Sequence, residues 1–182
     1  MMHCTHSQLR PALAADDNPC DLKAEAAPNC EDYCKLVQTA CTADLKVYDD
    51  TAQCLAVCKL GFAPPQPVPL NTPDVDKDTL SCRRWHAYYA LTADASTHCA
   101  HAGPGGDGHC GAPCPAYCAM LKRACPTRYQ TSFSVDAQCT AACMPLAASA
   151  KDSAYSVQKE EVHTNSYACR LHELSQVFAD QA

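Results

Sequence analysis

The chain has 182 residues, sixteen of them cysteine, and a formal net charge of -6 with no lysine or arginine cluster. That cysteine density belongs to disulfide scaffolds of an oxidising, extracellular compartment, and the acidic balance excludes a nucleic-acid or anionic-membrane surface. No apolar run approaches the ~20 residues of a membrane helix, so no membrane span is expected.

Residues 1–19 begin Met1-Met2-His3-Cys4-Thr5-His6. They have neither the basic nor the apolar stretch of a signal peptide, which predicts a mature or truncated secreted chain, or one period of a longer array. Residues 20–109 hold Cys20, Cys30, Cys34, Cys41, Cys54, Cys58, Cys82 and then His98-Cys99-Ala100-His101. Residues 110–182 repeat the spacing as Cys110, Cys114, Cys118, Cys125, Cys139, Cys143 and Cys169. The neighbours repeat as well: Tyr33-Cys34 with Tyr117-Cys118, Ala52-Gln53-Cys54 with Ala137-Gln138-Cys139, and Cys82-Arg83 with Cys169-Arg170. Self-similarity of this kind marks a tandem repeat.

Within each repeat the cysteine steps are helical. Cys30, Cys34 and Cys41 fall on one face of a first helix. Cys54 and Cys58 lie on a second, entered through Asp49-Asp50-Thr51, and Ser134 and Asp136 open its counterpart in repeat 2. A third helix is predicted from about Thr79 to Ala93. The proline-rich run 63–69 reads as extended chain, and Gly103 to Gly108 as turn and loop. The predicted fold is mainly α, a small disulfide-rich tandem repeat of three short helices per unit with long loops. Antiparallel packing of the first two helices favours bridges between Cys34 or Cys41 and Cys54 or Cys58, although eight cysteines allow 105 connectivities.

All fifteen cysteines from Cys20 onward are expected in disulfides. No Cys-x-x-Cys occurs, which removes the usual zinc knuckle, and no Cys-x-x-Cys-His occurs for covalent haem. The histidines follow the repeat. His86 lies one turn past Cys82, and His98 and His101 flank Cys99 three residues apart. The second set is His172 with His3 and His6, because the His-Cys-x-His motif recurs only at the N-terminus. Three neutral imidazoles suit copper, with zinc as the alternative. His109 and His163 have no repeat equivalents and read as incidental, and Tyr88 and Tyr89 as packing residues.

These elements, Cys82-Arg-Arg-Trp-His86 and His98-Cys-Ala-His101-Ala-Gly-Pro-Gly-Gly-Asp-Gly-His-Cys110-Gly, resemble the cysteine-rich repeat of secreted microbial proteins. They are similar to the dicopper-binding repeats of extracellular fibrils from environmental samples. The resemblance implies copper held by His86, His98 and His101, with His172, His3 and His6 as the equivalent set. The chain departs from it where repeat 2 has Cys-x-x-His and where Ser7-Gln8 follows the N-terminal motif.

Repeat 2 lacks its own His-Cys-x-His, and the linkage from Asp180 through to His3 differs by one residue from that between Asp94 and His98. Residues 1–19 of one subunit are therefore expected to complete residues 110–182 of another, with Cys4 as an intersubunit disulfide. Such a heterologous contact builds a head-to-tail homopolymer. The leading expectation is an extracellular structural fibril with metal sites. A copper-dependent secreted redox enzyme and a secreted disulfide-rich binding module are the alternatives, and no catalytic residue stands out. The Pro-rich and Ser/Thr segments are candidates for O-glycans.

Overall fold

The recurrent Ala-Gln-Cys has a local job that explains its recurrence. In a computed structural model describing residues 28–62, 77–148, 154–159 and 164–182, the Asp50 carboxylate accepts from the Gln53 amide at 2.8 Å, and Gln53 Oε1 accepts from the Asp49 amide at 2.7 Å. This reciprocal capping starts helix α2 (Thr51–Ala56), which runs on as a π-helical turn over Val57–Gly61. Gln138 repeats the reach-back, accepting from the Ser134 amide at 2.8 Å as α7 (Asp136–Ala148) begins.

The other helices also start on caps. Asn29 caps α1 (Cys30–Ala40), Thr79 caps α3 (Leu80–Thr92), Asp94 caps α4 (Ala95–Ala102) and Ser166 caps α8 (Tyr167–Gln181). Pro113 and Pro126 instead open α5 (Pro113–Ala124) and α6 (Pro126–Ser132), where a missing N–H costs nothing. Among the described residues there is no strand, and the chain is mainly α and disulfide-rich, as its spacing predicts. No helix among them is long and apolar enough to cross a membrane.

The cysteine spacing makes α5, α7 and α8 the counterparts of α1, α2 and α3. Helix α4 has no counterpart among the described residues. Equivalent bridges tie the first two helices of each repeat: Cys30–Cys58 and Cys34–Cys54 in repeat 1, Cys114–Cys143 and Cys118–Cys139 in repeat 2. Cys34–Cys54 follows the antiparallel expectation. Cys41 does not cross to α2; it turns to Cys99 on α4, because α4 packs along α3 and also meets α1. Cys82 bridges Cys110, so that cysteine closes repeat 1. Cys125 and Cys169 carry no disulfide. Cys4, Cys20 and the proline-rich run lie outside the described residues.

One apolar core joins the two repeats. Tyr33, Val37, Tyr48, Val57 and Leu80 of repeat 1 are continuous with Met120, Leu171, Leu174 and Phe178 of repeat 2. At Gly61 the π-helical turn approaches α8 so closely that a Cβ would lie 3.0 Å from the Phe178 ring. Arg123 donates to the Gly61 carbonyl at 2.6 Å.

Arg83 is the polar centre of repeat 1 and is fully buried. It donates to the carbonyls of Gly103 (3.1 Å), Pro104 (3.0 Å) and Thr79 (3.3 Å), pairs with Asp78 at 2.7 Å, and stacks over Phe62 at 4.2 Å. A buried guanidinium is tolerated only with such complete pairing. Its counterpart Arg170 is exposed and donates to Asn165. Arg83→Ala is expected to cost about 3–5 kcal/mol in denaturant unfolding, since it strands a carboxylate and three carbonyls. Arg170→Ala in the isolated chain should stay within about 0.5 kcal/mol. Equal losses would contradict this assignment.

Candidate metal centre

Two short helices bring three imidazoles together. Asp94 accepts from the Ser96 amide at 3.0 Å and from the Ser96 and Thr97 hydroxyls, which fixes the first turn of α4. These hydroxyl and backbone donors hold its carboxyl down at about 2. The three-residue step from His98 to His101 then places both rings on one helix face. The Cys41–Cys99 bridge lies between them and anchors the other face to the end of α1. The C-terminal end of α4 is pinned where the Tyr33 hydroxyl donates to the Ala102 carbonyl at 2.5 Å. His86 meets α4 from α3, one turn past Cys82, itself bonded to Cys110.

His86, His98 and His101 each present a ring nitrogen such that all three lie within 4.8 Å of one another. His86 Nδ1 and His98 Nδ1 are 2.9 Å apart and share a hydrogen bond. Nitrogens bound about 2.0–2.1 Å from one ion at right angles would be separated by about 2.8–3.0 Å. His86 Nε2 and His101 Nδ1 are buried with no hydrogen-bond partner. Unsatisfied buried polar atoms are rare and costly, and two in one cluster mark a site shaped for something else. The ring nitrogens therefore fit a metal ion.

Sulfur does not complete the set. His86 also groups with Cys82 and Cys110, but those sulfurs are bonded to each other at 2.04 Å and offer no thiolate. A fourth imidazole does approach: His109 stacks on His101 with ring centroids 3.7 Å apart, and its centroid is 6.1 Å from that of His86. Sequence reasoning sets His109 aside for want of a repeat equivalent. The available signal is its place beside Cys110, whose bridge partner Cys82 is one turn from His86. The loop that carries it is built on glycine, with Gly106 at φ +66° and Gly111 at φ +92°, and a Cβ on Gly111 would lie 2.7 Å from Asp78. Trp85 packs edge-on to His86 at 4.8 Å, and Tyr89 lies against Trp85 at 4.1 Å, in keeping with a packing role.

The cluster is built neutral. Burial, then the neighbouring imidazoles, pushes His86 down to about 3 and His101 down to about 4, and burial lowers His98. Neutral imidazole is the metal-binding form.

The second predicted set is not assembled among the described residues. His3 and His6 lie outside them, as does His163. His172 is on α8, with Nε2 2.9 Å from the Asp49 carboxylate and Gln176 alongside. It stands three residues past Cys169, whereas His86 stands four past Cys82, and one helical residue is a rotation of about 100°. Glu173 holds the place equivalent to His86.

Folded pKa values below the ordinary 6.5 mean that the unfolded chain binds more protons, so metal-free stability should fall as pH drops from about 6.5 towards 3. Imidazole nitrogen NMR of the metal-free chain should find His86 and His101 neutral at pH 5, and titration of both near their ordinary value would contradict the buried cluster.

No curated protein and no solved structure matches the chain significantly. The BfoA family C-terminal domain matches residues 2–113, from just ahead of His3-Cys4-Thr5-His6 through Cys110. That match spans more than half of the chain and takes in the whole histidine cluster: the protein belongs to the BfoA family.

Proposed function

We propose that the protein is the structural subunit of a secreted, head-to-tail extracellular fibril that carries histidine-bound copper in its repeats. The observation that carries the metal half is the trio His86, His98 and His101, each with a ring nitrogen within 4.8 Å of the others, together with His86 Nε2 and His101 Nδ1 buried without hydrogen-bond partners. A purely nitrogen set without thiolate favours copper over zinc by the ordinary affinity order. Bound copper would supply a link between α3 and α4 and a one-electron couple. The chain's own contribution is rigidity: a disulfide between the two ligands on α4, a second disulfide one turn from the ligand on α3, and an aromatic wall. His109 is placed to join or shield the same ion.

The polymer half is supported by the repeat. Among the described residues, 110–182 carry counterparts of α1, α2 and α3 but not of α4, and the His-Cys-x-His of α4 recurs at residues 3–6. A disulfide density of this order suits secretion.

Native material from the culture medium should show filaments by electron microscopy and contain copper by elemental analysis. His98→Gln with His101→Gln should weaken copper binding by more than about 100-fold, a loss beyond that of orienting groups alone. His172→Gln, which releases Asp49 instead, should leave repeat 1 copper unchanged. Native particles free of copper, or undiminished affinity in the double variant, would overturn the metal reading. Monomers alone in native material would overturn the fibril.

A further inference from the structure

In repeat 1, three side chains hold α4 and the residues that follow it. Tyr33 on α1 donates to the Ala102 carbonyl, Cys41 bridges Cys99, and Arg83 on α3 donates to the Gly103 and Pro104 carbonyls. The repeat maps these three onto Tyr117, Cys125 and Arg170. All three line one groove of about 410 Å³ between α5, α6 and α8. Leu121, Phe133 and Val177 form its apolar floor and Glu173 its rim. The groove corresponds to the seat of α4 in repeat 1, with the anchoring residues in place and, among the described residues, no helix in it. Cys41 is 2% exposed beneath α4, whereas Cys125 is partly open to solvent.

The cysteines give the occupant. Among the described residues six disulfides leave Cys125 and Cys169 unbridged, and two further cysteines, Cys4 and Cys20, lie outside those residues. Cys125 and Cys169 are the counterparts of Cys41 and Cys82, whose partners Cys99 and Cys110 follow one another in that order. Cys4 and Cys20 follow one another in the same order, and Cys4 sits in the other His-Cys-x-His.

Resting on the head-to-tail reading, we propose that residues 3–20 of a second copy of this chain fill the groove, with Cys4 bridging Cys125 and Cys20 bridging Cys169. The order of parts favours a second copy. In repeat 1 the segment that ends at Cys110 leads directly into α5, so what completes one repeat opens the next. Residues 3–20 also precede the first helix of their own molecule, with residues 21–29 between Cys20 and α1 where residues 111–112 separate Cys110 from α5. Arg170 trades its contact with Asn165 for the carbonyls behind the incoming motif, as Arg83 does for Gly103 and Pro104. The segment also brings His3 and His6 to Glu173, the residue at the place of His86.

Each bridge forms as two S–H bonds break and one S–S bond is made. A small disulfide oxidant, such as oxidised glutathione, takes the two electrons and two protons and leaves as two thiols. The groove and the bridges together make a heterologous joint that repeats without limit unless rotation closes it.

The test mixes equal amounts of unlabelled and heavy-nitrogen-labelled full-length chain in a glutathione redox buffer, then maps disulfides by non-reducing proteolysis and mass spectrometry. Expected are Cys4–Cys125 and Cys20–Cys169 peptides, with light joined to heavy as often as an equal mixture requires. A Cys4–Cys20 peptide, alkylatable Cys125 and Cys169, or Cys4–Cys125 pairs that never join light to heavy would overturn the proposal. Cys125→Ser removes a thiol that is unbonded in the single chain, so the six internal bridges should persist while Cys4 becomes alkylatable. A Cys4 still bridged in that variant would also overturn it. Filaments on micrographs with Cys125 free would end this pairing and leave the fibril reading standing. Light–heavy pairs found only in closed rings would support the pairing and end the fibril reading.

Discussion

The Cys41–Cys99 disulfide sits between the two histidines it positions. Helix α4 is only eight residues long, too short to hold its shape in water from backbone hydrogen bonds alone. Its fixed place comes from the bridge on one face, the Asp94 cap at one end, and Tyr33 and Arg83 at the other. Without those anchors, His98 and His101 would have no fixed relation to His86, and three imidazoles would be three independent side chains. The same anchors allow two ring nitrogens to remain buried without partners, a cost that a free helix would relieve by turning them to water.

Much of this is legible in the residues and some is not. Cysteine steps of four and seven give the helices, and the recurrence of Ala-Gln-Cys gives a matching helix start, because Gln53 and Gln138 each accept a backbone N–H from just ahead of their helix. The His-Cys-x-His step gives two ligands on one face whether the segment is a turn or, as found, a helix. What spacing does not show is which helix lies against which. Cys41 turns to α4 because α4 packs along α3 beside the end of α1, a tertiary fact with no local signature. His109 joins the cluster through a glycine-rich loop folded back by Cys82–Cys110, again a long-range closure. His172 shows the opposite limit: one residue fewer after Cys169 turns it away by a helical step, towards Asp49.

The contrast between Arg83 and Arg170 states the logic of the repeat in one pair. Each follows a cysteine in the first turn of its helix, Arg83 on α3 and Arg170 on α8. One is sealed by backbone carbonyls from the segment after α4; the other faces a groove. Burial of a guanidinium is acceptable where carbonyls and a carboxylate surround it and not elsewhere, and Arg170, which has none of those partners, stays exposed beside Asn165.

X-ray absorption at the copper edge, on full-length chain loaded with one equivalent of copper, tests the central claim most directly. The account predicts imidazole nitrogen scattering from about three histidines with no copper–sulfur shell, since Cys82, Cys99 and Cys110, the described cysteines beside the cluster, are held in disulfides. A sulfur shell, or an all-oxygen shell without the imidazole signature, would contradict it.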